Sequence, residues 1–227
     1  MHQIRNKLLK VHDLLQTALP LEKGWPGGKW PVSGEFSPPE FEIIVGAVLT
    51  QNTRWENVEK ILLRLLKAKL QSVDLMVECP IPILEEVLRP VGFFRKKAGV
   101  LKRLAKAILE YPGDFYSQVQ RSEILCIGGV GPETADAILL YACARLEFVA
   151  DAYARRILHR YGLIEGTSYR DAKEIIESHL PLQVGLYQRF HALLVEHGKT
   201  SCRRVPLCPK CVLRESCRWV RRSTDTH

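Results

Sequence analysis

Apolar positions along the chain recur with the period of an α-helix. Phe41, Ile44, Val45, Val48 and Leu49 fall at i, i+3, i+4, i+7 and i+8, the spacing that lines one buried face. The next segment repeats the rhythm through Val58, Ile61, Leu62, Leu65 and Leu66. The same periodicity predicts helices over 83–88, 98–110, 116–125, 133–144, 152–161, 169–182 and 188–197. Pro80 and Pro82, Pro90 with Gly92, Pro112-Gly113, the glycines of 128–131 and Gly162 separate them, since proline and glycine both interrupt helices. Ahead of the first of these helices, Ser37-Pro38-Pro39-Glu40 reads as a capping box, with Ser37 as N-cap and Pro38 as the first helical residue. Period-two alternation is nearly absent, so the pattern predicts an all-α protein. Residues 23–31, KGWPGGKWP, depart from it, being too rich in Gly and Pro for a helix. Trp25 and Trp30 in that loop either anchor it to the core or line a pocket.

With 227 residues, the chain can form one large domain or two small ones sharing a core. Hydrophobic residues at 46% and charged residues at 26% exclude a disordered or fibrous chain. Lys and Arg outnumber Asp and Glu by 33 to 25, giving a net charge of +8. Such an excess suits a polyanionic partner, because each neutralised phosphate releases counterions. Charge alone does not distinguish that from a merely basic soluble protein. Residues 1–10 carry no apolar stretch of signal-peptide length, and no window approaches a membrane span. The expectation is a cytoplasmic protein, nucleoid-associated in a prokaryote, with no membrane partner. Seven cysteines, four of them crowded at one end, suggest metal chemistry rather than disulfides.

Those four, Cys202, Cys208, Cys211 and Cys217, are separated by five, two and five residues. Thiolates are soft ligands that suit an iron–sulfur cluster or tetrahedral zinc. Structural zinc usually joins two C-x2-C-like knuckles across a longer loop. A single C-x2-C between two short loops instead wraps one compact object, as a [4Fe–4S] cubane with one thiolate per iron would require. Zinc remains the alternative. Arg203, Arg204, Lys210, Arg214 and Arg218 interleave the ligands and suit a DNA backbone. Cys79, Cys126 and Cys143 lie in apolar surroundings and read as inert core residues.

A second motif is the glycine-rich segment Leu125-Cys126-Ile127-Gly128-Gly129-Val130-Gly131-Pro132-Glu133-Thr134-Ala135. A helix ends, a hairpin turns, and a new helix begins with Pro132 at its first position. Glycine lets the backbone approach a ligand, and the N–H groups of a new helix suit a phosphate. A plain connector is the bland reading. After the following helix comes Phe148-Val149-Ala150-Asp151-Ala152, where Asp151 opens another helix and has an N-cap as its structural role.

The hairpin, Asp151, the segment His191-Ala192-Leu193-Leu194-Val195-Glu196-His197-Gly198 and the four cysteines together resemble, in the same order, the endonuclease III family of helix-hairpin-helix DNA glycosylases. The resemblance runs from about Phe41 to Cys217. It implies a two-lobed all-α fold: a six-helix barrel over 32–145, with the hairpin motif at about 120–144, and a second lobe of 1–31 plus 146–227 bearing the cluster loop 202–217. It further implies that Gly129, Val130 and Gly131 grip the DNA backbone, that Asp151 is catalytic, and that Gln51 fills the gap left by the extruded base. The partner is double-stranded DNA containing a damaged base, and the protein is expected to act as a monomer.

The sequence departs from the family at Glu133. Bifunctional members carry a lysine there, which attacks the sugar C1′ and cleaves the strand through a Schiff base. A carboxylate cannot form that imine; Glu133 is explained by the dipole of the helix it opens. The expected reaction is therefore hydrolysis, with Asp151 stabilising positive charge on the sugar or activating water. One carboxylate without a general acid suffices best when the base is an alkylated, cationic purine that leaves neutral. Trp30-Pro31 and the run through Gln51 to Trp55 look like the 3-methyladenine glycosylases of the endonuclease III type. In those enzymes the Trp-Pro loop and an aromatic residue at position 55 line the base pocket. Their best-studied form lacks the cluster, so two resemblances combine here. Trp25, Trp30, Pro31 and Trp55 are the candidate pocket, since electron-rich rings attract a cationic base. The alternatives are a bifunctional glycosylase for oxidised pyrimidines, a mismatch-specific enzyme, a hairpin module that only binds DNA, and a zinc-stabilised helical regulator.

Overall fold

A computed structural model describes residues 2–19, 21 and 33–224. Among the described residues the chain is helical, with one isolated parallel bridge, Ser37 to Ser72, and no helix is long and apolar enough to cross a membrane. Two compact units result: Lys29–Arg145, and Met1–Gly28 joined to Leu146–His227.

The Lys29–Arg145 unit contains α2 (Pro39–Leu49), α3 (Trp55–Lys67), α4 (Val73–Glu78), α5 (Ile81–Leu88), α6 (Phe94–Leu109), α7 (Phe115–Gln118), α8 (Arg121–Cys126) and α9 (Pro132–Ala137). Helix α2 is apolar nearly all round and is buried from Phe41 to Leu49, except Ile43, as a central core helix must be. Helix α6 packs against α2, α4 and α5. The N-cap of α2 is Pro38, not Ser37, and no side chain caps it. Helix α2 starts at Pro39, so the cap position falls on a residue without a side-chain acceptor. Ser37 lies outside the helix, its N–H donating to Gln71 O at 3.0 Å.

The predicted 116–125 helix is two short ones. The Gln120 N–H donates to Glu123 Oε2 at 2.6 Å, so a new helix begins there instead of the old one continuing. Over 133–144 the α-helix gives way at Ile138–Ala142 to a π-helical turn. Ile138, Leu139 and Leu140 are all buried, and the wider turn accommodates consecutive buried residues that a 3.6-residue period cannot place on one face.

The other unit holds α1 (His2–Ala18), α10 (Ala152–Tyr161), α11 (Tyr169–Glu177), α12 (Val184–Thr200) and α13 (Arg218–Thr224). Helix α1, not among the predicted elements, buries Leu8, Val11, His12 and Leu15 and packs on α12. Phe148 meets Tyr187 edge-on at 5.9 Å and Phe190 at 6.1 Å. Helix α10 contacts α11, α12 and α13. Helix α11 stops at Glu177, short of 182, before Pro181, whose ring disfavours helix at the residue before it.

Candidate functional site

The glycine-rich hairpin joins α8 to α9, and its tip closes through the Val130 N–H on Ile127 O at 3.0 Å. Gly129 has φ +90 and sits so close to Val100 that an added Cβ would lie 2.6 Å from Val100 Cγ2. Val130 is buried beneath the turn, whereas Gly131, the N-cap of α9, is exposed with open space where a Cβ would be. Two arginines absent from the sequence reading shape the hairpin. Arg103 on α6 donates through Nε to Gly128 O at 2.7 Å. Arg121 on α8 grips the fully buried Asp136 on α9 with two bonds, Nε to Oδ1 at 2.6 Å and a terminal nitrogen to Oδ2 at 3.1 Å. That bidentate pair fixes the approach of α8 and α9. Glu133 stands in the first turn of α9, half-buried. Cys126, expected in the core, is exposed at the last residue of α8.

Gln51 belongs to the turn between α2 and α3 and is half-buried. The next residue, Asn52, takes φ 53, a left-handed conformation that Asn tolerates better than most side chains. Trp55 opens α3, packs partly buried against the core, and donates its indole N–H to Glu59 Oε1 at 2.8 Å. Trp25, Trp30 and Pro31 lie outside the described residues, so of the candidate base pocket only Trp55 is placed.

Asp151 is the N-cap of α10, with Oδ1 accepting from the Ala154 N–H at 2.8 Å. Its other oxygen, Oδ2, is 3.8 Å from Nε2 of His191 on α12, and the two side chains are only 15% and 9% exposed. His191 in turn meets the Phe148 ring edge-on at 6.3 Å. The cap therefore occupies one carboxylate oxygen and orients the second. Nothing in the sequence pattern marked His191 as a neighbour of Asp151.

Cys202 follows α12, Cys208 opens a 3₁₀ turn at Cys208–Lys210, and Cys217 follows another at Arg214–Ser216. All four C-terminal cysteines are half-buried. Burial pushes the Cys211 thiol up, and the nearby Cys202, Cys217 and Cys208 push it further. Cys217 is raised by burial and by Cys202 and Cys208. These four soft donors thus share one neighbourhood in which thiolates repel one another, a donor set whose chemistry fits a soft cationic metal centre. Arg160 on α10 organises the loop, donating to Cys202 Sγ at 3.4 Å, Arg203 O at 2.6 Å and Arg204 O at 2.9 Å. Arg156 reaches Cys202 O at 2.9 Å, and His197 Nε2 lies 3.5 Å from Cys211 Sγ.

Comparison with known proteins identifies the family. The family model described as the HhH-GPD superfamily base excision DNA repair protein matches residues 45–182. A Methanocaldococcus jannaschii protein described as a DNA repair glycosylase is 41% identical over 224 residues, covering 92% of this chain and 95% of its own. The crystal structure of the Helicobacter pylori 3-methyladenine DNA glycosylase bound to 1,N6-ethenoadenine is 32% identical, with a TM-score of 0.71 over 83% of this chain and 97% of that one. A trapped endonuclease III–DNA covalent intermediate shares the fold, with a TM-score of 0.78 at 20% identity over 97% of this chain and 98% of that one. The chain belongs to the HhH-GPD superfamily of base excision DNA repair proteins, as a DNA glycosylase of the endonuclease III type.

Proposed function

We propose that the protein is a monofunctional glycosylase that hydrolyses the N-glycosidic bond of alkylated purines, such as 3-methyladenine, in double-stranded DNA. The observation that carries the monofunctional reading is Glu133, half-buried in the first turn of α9 where a lyase would need an amine. Asp151 is the catalytic group. As the bond from C1′ to the base nitrogen lengthens, its electron pair moves onto the base and positive charge develops on the sugar. The Oδ2 oxygen of Asp151, left over from the helix cap, stabilises that charge, and water then forms the new bond to C1′ while releasing a proton. A ring-alkylated purine is already cationic, so it departs neutral without a general acid. The 32% identical Helicobacter pylori relative, named for 3-methyladenine and crystallised with an ethenoadenine, supports this substrate class.

In this reading Gly129, Val130 and Gly131 hold the DNA backbone, Gln51 fills the space vacated by the flipped base, and Trp25, Trp30, Pro31 and Trp55 take part in recognising the base. Residues 32–145 form the DNA-gripping lobe, and 1–31 with 146–227 the lobe that carries Asp151. Cys202, Cys208, Cys211 and Cys217 would hold a [4Fe–4S] cluster, which supplies a rigid centre for a loop rich in arginine. The protein acts as a monomer.

Base release from duplexes carrying 3-methyladenine, ethenoadenine, thymine glycol or a T·G mismatch tests the substrate, and borohydride trapping tests the chemistry. Release of 3-methyladenine without a trapped imine is expected, and Trp55→Ala should slow it about ten-fold while Trp55→Phe is milder. Thymine glycol release with efficient trapping would establish the bifunctional alternative instead.

A further inference from the structure

Lys97 is the most unusual charged group in the Lys29–Arg145 unit. It sits on the inner face of α6 and is only 5% exposed, although lysine is almost never fully buried unless paired. Among the described residues it makes no ion pair. Its ammonium instead donates to Leu49 O at 2.9 Å and to Thr53 Oγ1 at 2.6 Å. Leu49 is the last residue of α2, so its carbonyl belongs to the electron-rich end of that helix, where a cation is favoured. The Thr53 hydroxyl passes the connection on, donating to Gln51 O at 3.3 Å. Thr50 closes the same turn, its N–H on Gly46 O at 2.9 Å and its hydroxyl on Ala47 O at 3.0 Å. Every connection from Lys97 therefore leads to the turn that carries Gln51.

We infer that Lys97 is a positioning residue whose ammonium locks the 50–54 turn, so that Gln51 is presented to the duplex already in shape. The inference rests on the proposed role of Gln51 in filling the space left by the extruded base. Burying an ammonium without a carboxylate is costly, and the cost is visible in the group itself: burial lowers the Lys97 pKa from 10.5 to about 8. A leucine or methionine would fill the same space on α6 without that cost. What the hydrocarbon lacks is the pair of donors that tie the end of α2 to Thr53. Pre-forming the turn removes an ordering cost that would otherwise be met when the base leaves the stack. The left-handed Asn52 marks the turn as a shape that must be held.

The test compares Lys97→Met, Lys97→Arg, Thr53→Val and Gln51→Ala, using duplexes with a tetrahydrofuran abasic analogue or undamaged DNA. The ratio of the two affinities reports how well the vacated space is filled and needs no particular base to be excised. Lys97→Met should fold, with a melting temperature near that of the wild type, and should lose about ten-fold in this ratio. In the Gln51→Ala background the same substitution should change it by less than about two-fold, because both act through one turn. Lys97→Arg, which keeps the donors, should recover much of the loss, and Thr53→Val should reproduce part of it. Thr53→Val carries the test if Lys97→Met does not fold. Additive effects of Lys97→Met and Gln51→Ala, or an unchanged ratio in folded Lys97→Met, would overturn the positioning role. An unchanged ratio in Gln51→Ala alone would refute the reading of Gln51 and the inference with it. Failure to release 3-methyladenine would strike only the proposed substrate.

Discussion

Three glycines within four residues of the hairpin should respond to the same added methyl group in three different ways. Gly129→Ala carries the heaviest load. At φ +90 an L-residue is strained by about 1–2 kcal/mol. Its Cβ would also lie 2.6 Å from Val100 Cγ2, about 1 Å inside ordinary carbon contact. Val100 is itself buried, so relief requires α6 and the hairpin to part, at about 1–3 kcal/mol for such overpacking. Alanine's smaller unfolded-state entropy returns about 0.4–1 kcal/mol. The net expectation is about 2–4 kcal/mol of lost stability. By contrast, Gly128→Ala would meet only the Arg103 side chain, Nε at 3.5 Å and Cδ at 3.9 Å, ordinary contacts, and should cost under about 1 kcal/mol. Gly131→Ala meets nothing within 4 Å; it should fold like the wild type and, on the proposed grip of the hairpin on the DNA backbone, bind duplex more weakly.

Urea unfolding of each variant measures the first quantity, and salt-titrated duplex binding the second. A double-mutant cycle separates strain from collision. Adding Val100→Ala to Gly129→Ala should recover the steric part, a coupling of about 1–3 kcal/mol, while the dihedral part persists. Additivity of the two substitutions within about 0.5 kcal/mol, or a Gly129→Ala variant as stable as Gly128→Ala, would refute the account of the hairpin as a turn pressed onto α6.

On the proposed chemistry, Asp151→Asn keeps an oxygen for the Ala154 N–H, so unfolding should shift by under about 1 kcal/mol while single-turnover base release falls at least about 100-fold; near wild-type release would remove Asp151 from catalysis. Lys97 gives stability a pH dependence with a definite sign. Its folded pKa of about 8 lies below the ordinary 10.5, so between these values the unfolded chain holds more protons and the unfolding free energy rises with pH. Wild type should therefore gain about 2 kcal/mol on Lys97→Met as pH goes from 8 to 10, and parallel urea curves for the two at both pH values would contradict this. The protein prepared anaerobically should contain about four irons and four sulfides per chain, and Cys208→Ala should lose iron together with stability; stoichiometric zinc without iron would replace the cluster with the zinc alternative.

Much of the helical framework was legible because apolar spacing reports burial directly. Phe41, Ile44, Val45, Val48 and Leu49 are core residues of α2, as Val58, Ile61, Leu62 and Leu65 are of α3, and the 152–161 helix matches α10. The failures share a physical origin. A helical period assumes one buried face, so it could not foresee the π-helical turn where Ile138, Leu139 and Leu140 are all covered. It also joined α7 to α8 across 119–120, because the Gln120–Glu123 interaction that begins α8 is local polar chemistry without a hydrophobic signature. Pattern alone placed Cys126 in the core although its side of α8 faces outward. Helix α1 did carry a signal, Leu8, Val11 and Leu15, among polar residues that mask it.

At the candidate site the limit is of another kind, since pattern reading treats charged residues as surface. Several of the ones that shape this protein are buried. Lys97 lies four residues before Leu101 and seven before Leu104, on the apolar stripe of α6, and Asp136 lies among Ala135, Ala137 and Ile138. A charge on an apolar stripe is expensive to bury, so it persists only where it holds something that hydrophobic packing cannot. For the buried Lys97 and Asp136 that something is a non-helical segment: Lys97 ties down the turn at Thr53, and Asp136, gripped by the half-buried Arg121, sets the hairpin. Glu42, fully buried on α2, accepts from the Ser33 hydroxyl at 2.6 Å and so fixes the chain just before that helix. Packing determines the helices, but loops expose backbone polar groups that must be matched one by one. A buried charge on a helix stripe is therefore a pointer to a loop whose shape matters, and here the loops it points to are those that carry Gln51 and Gly129.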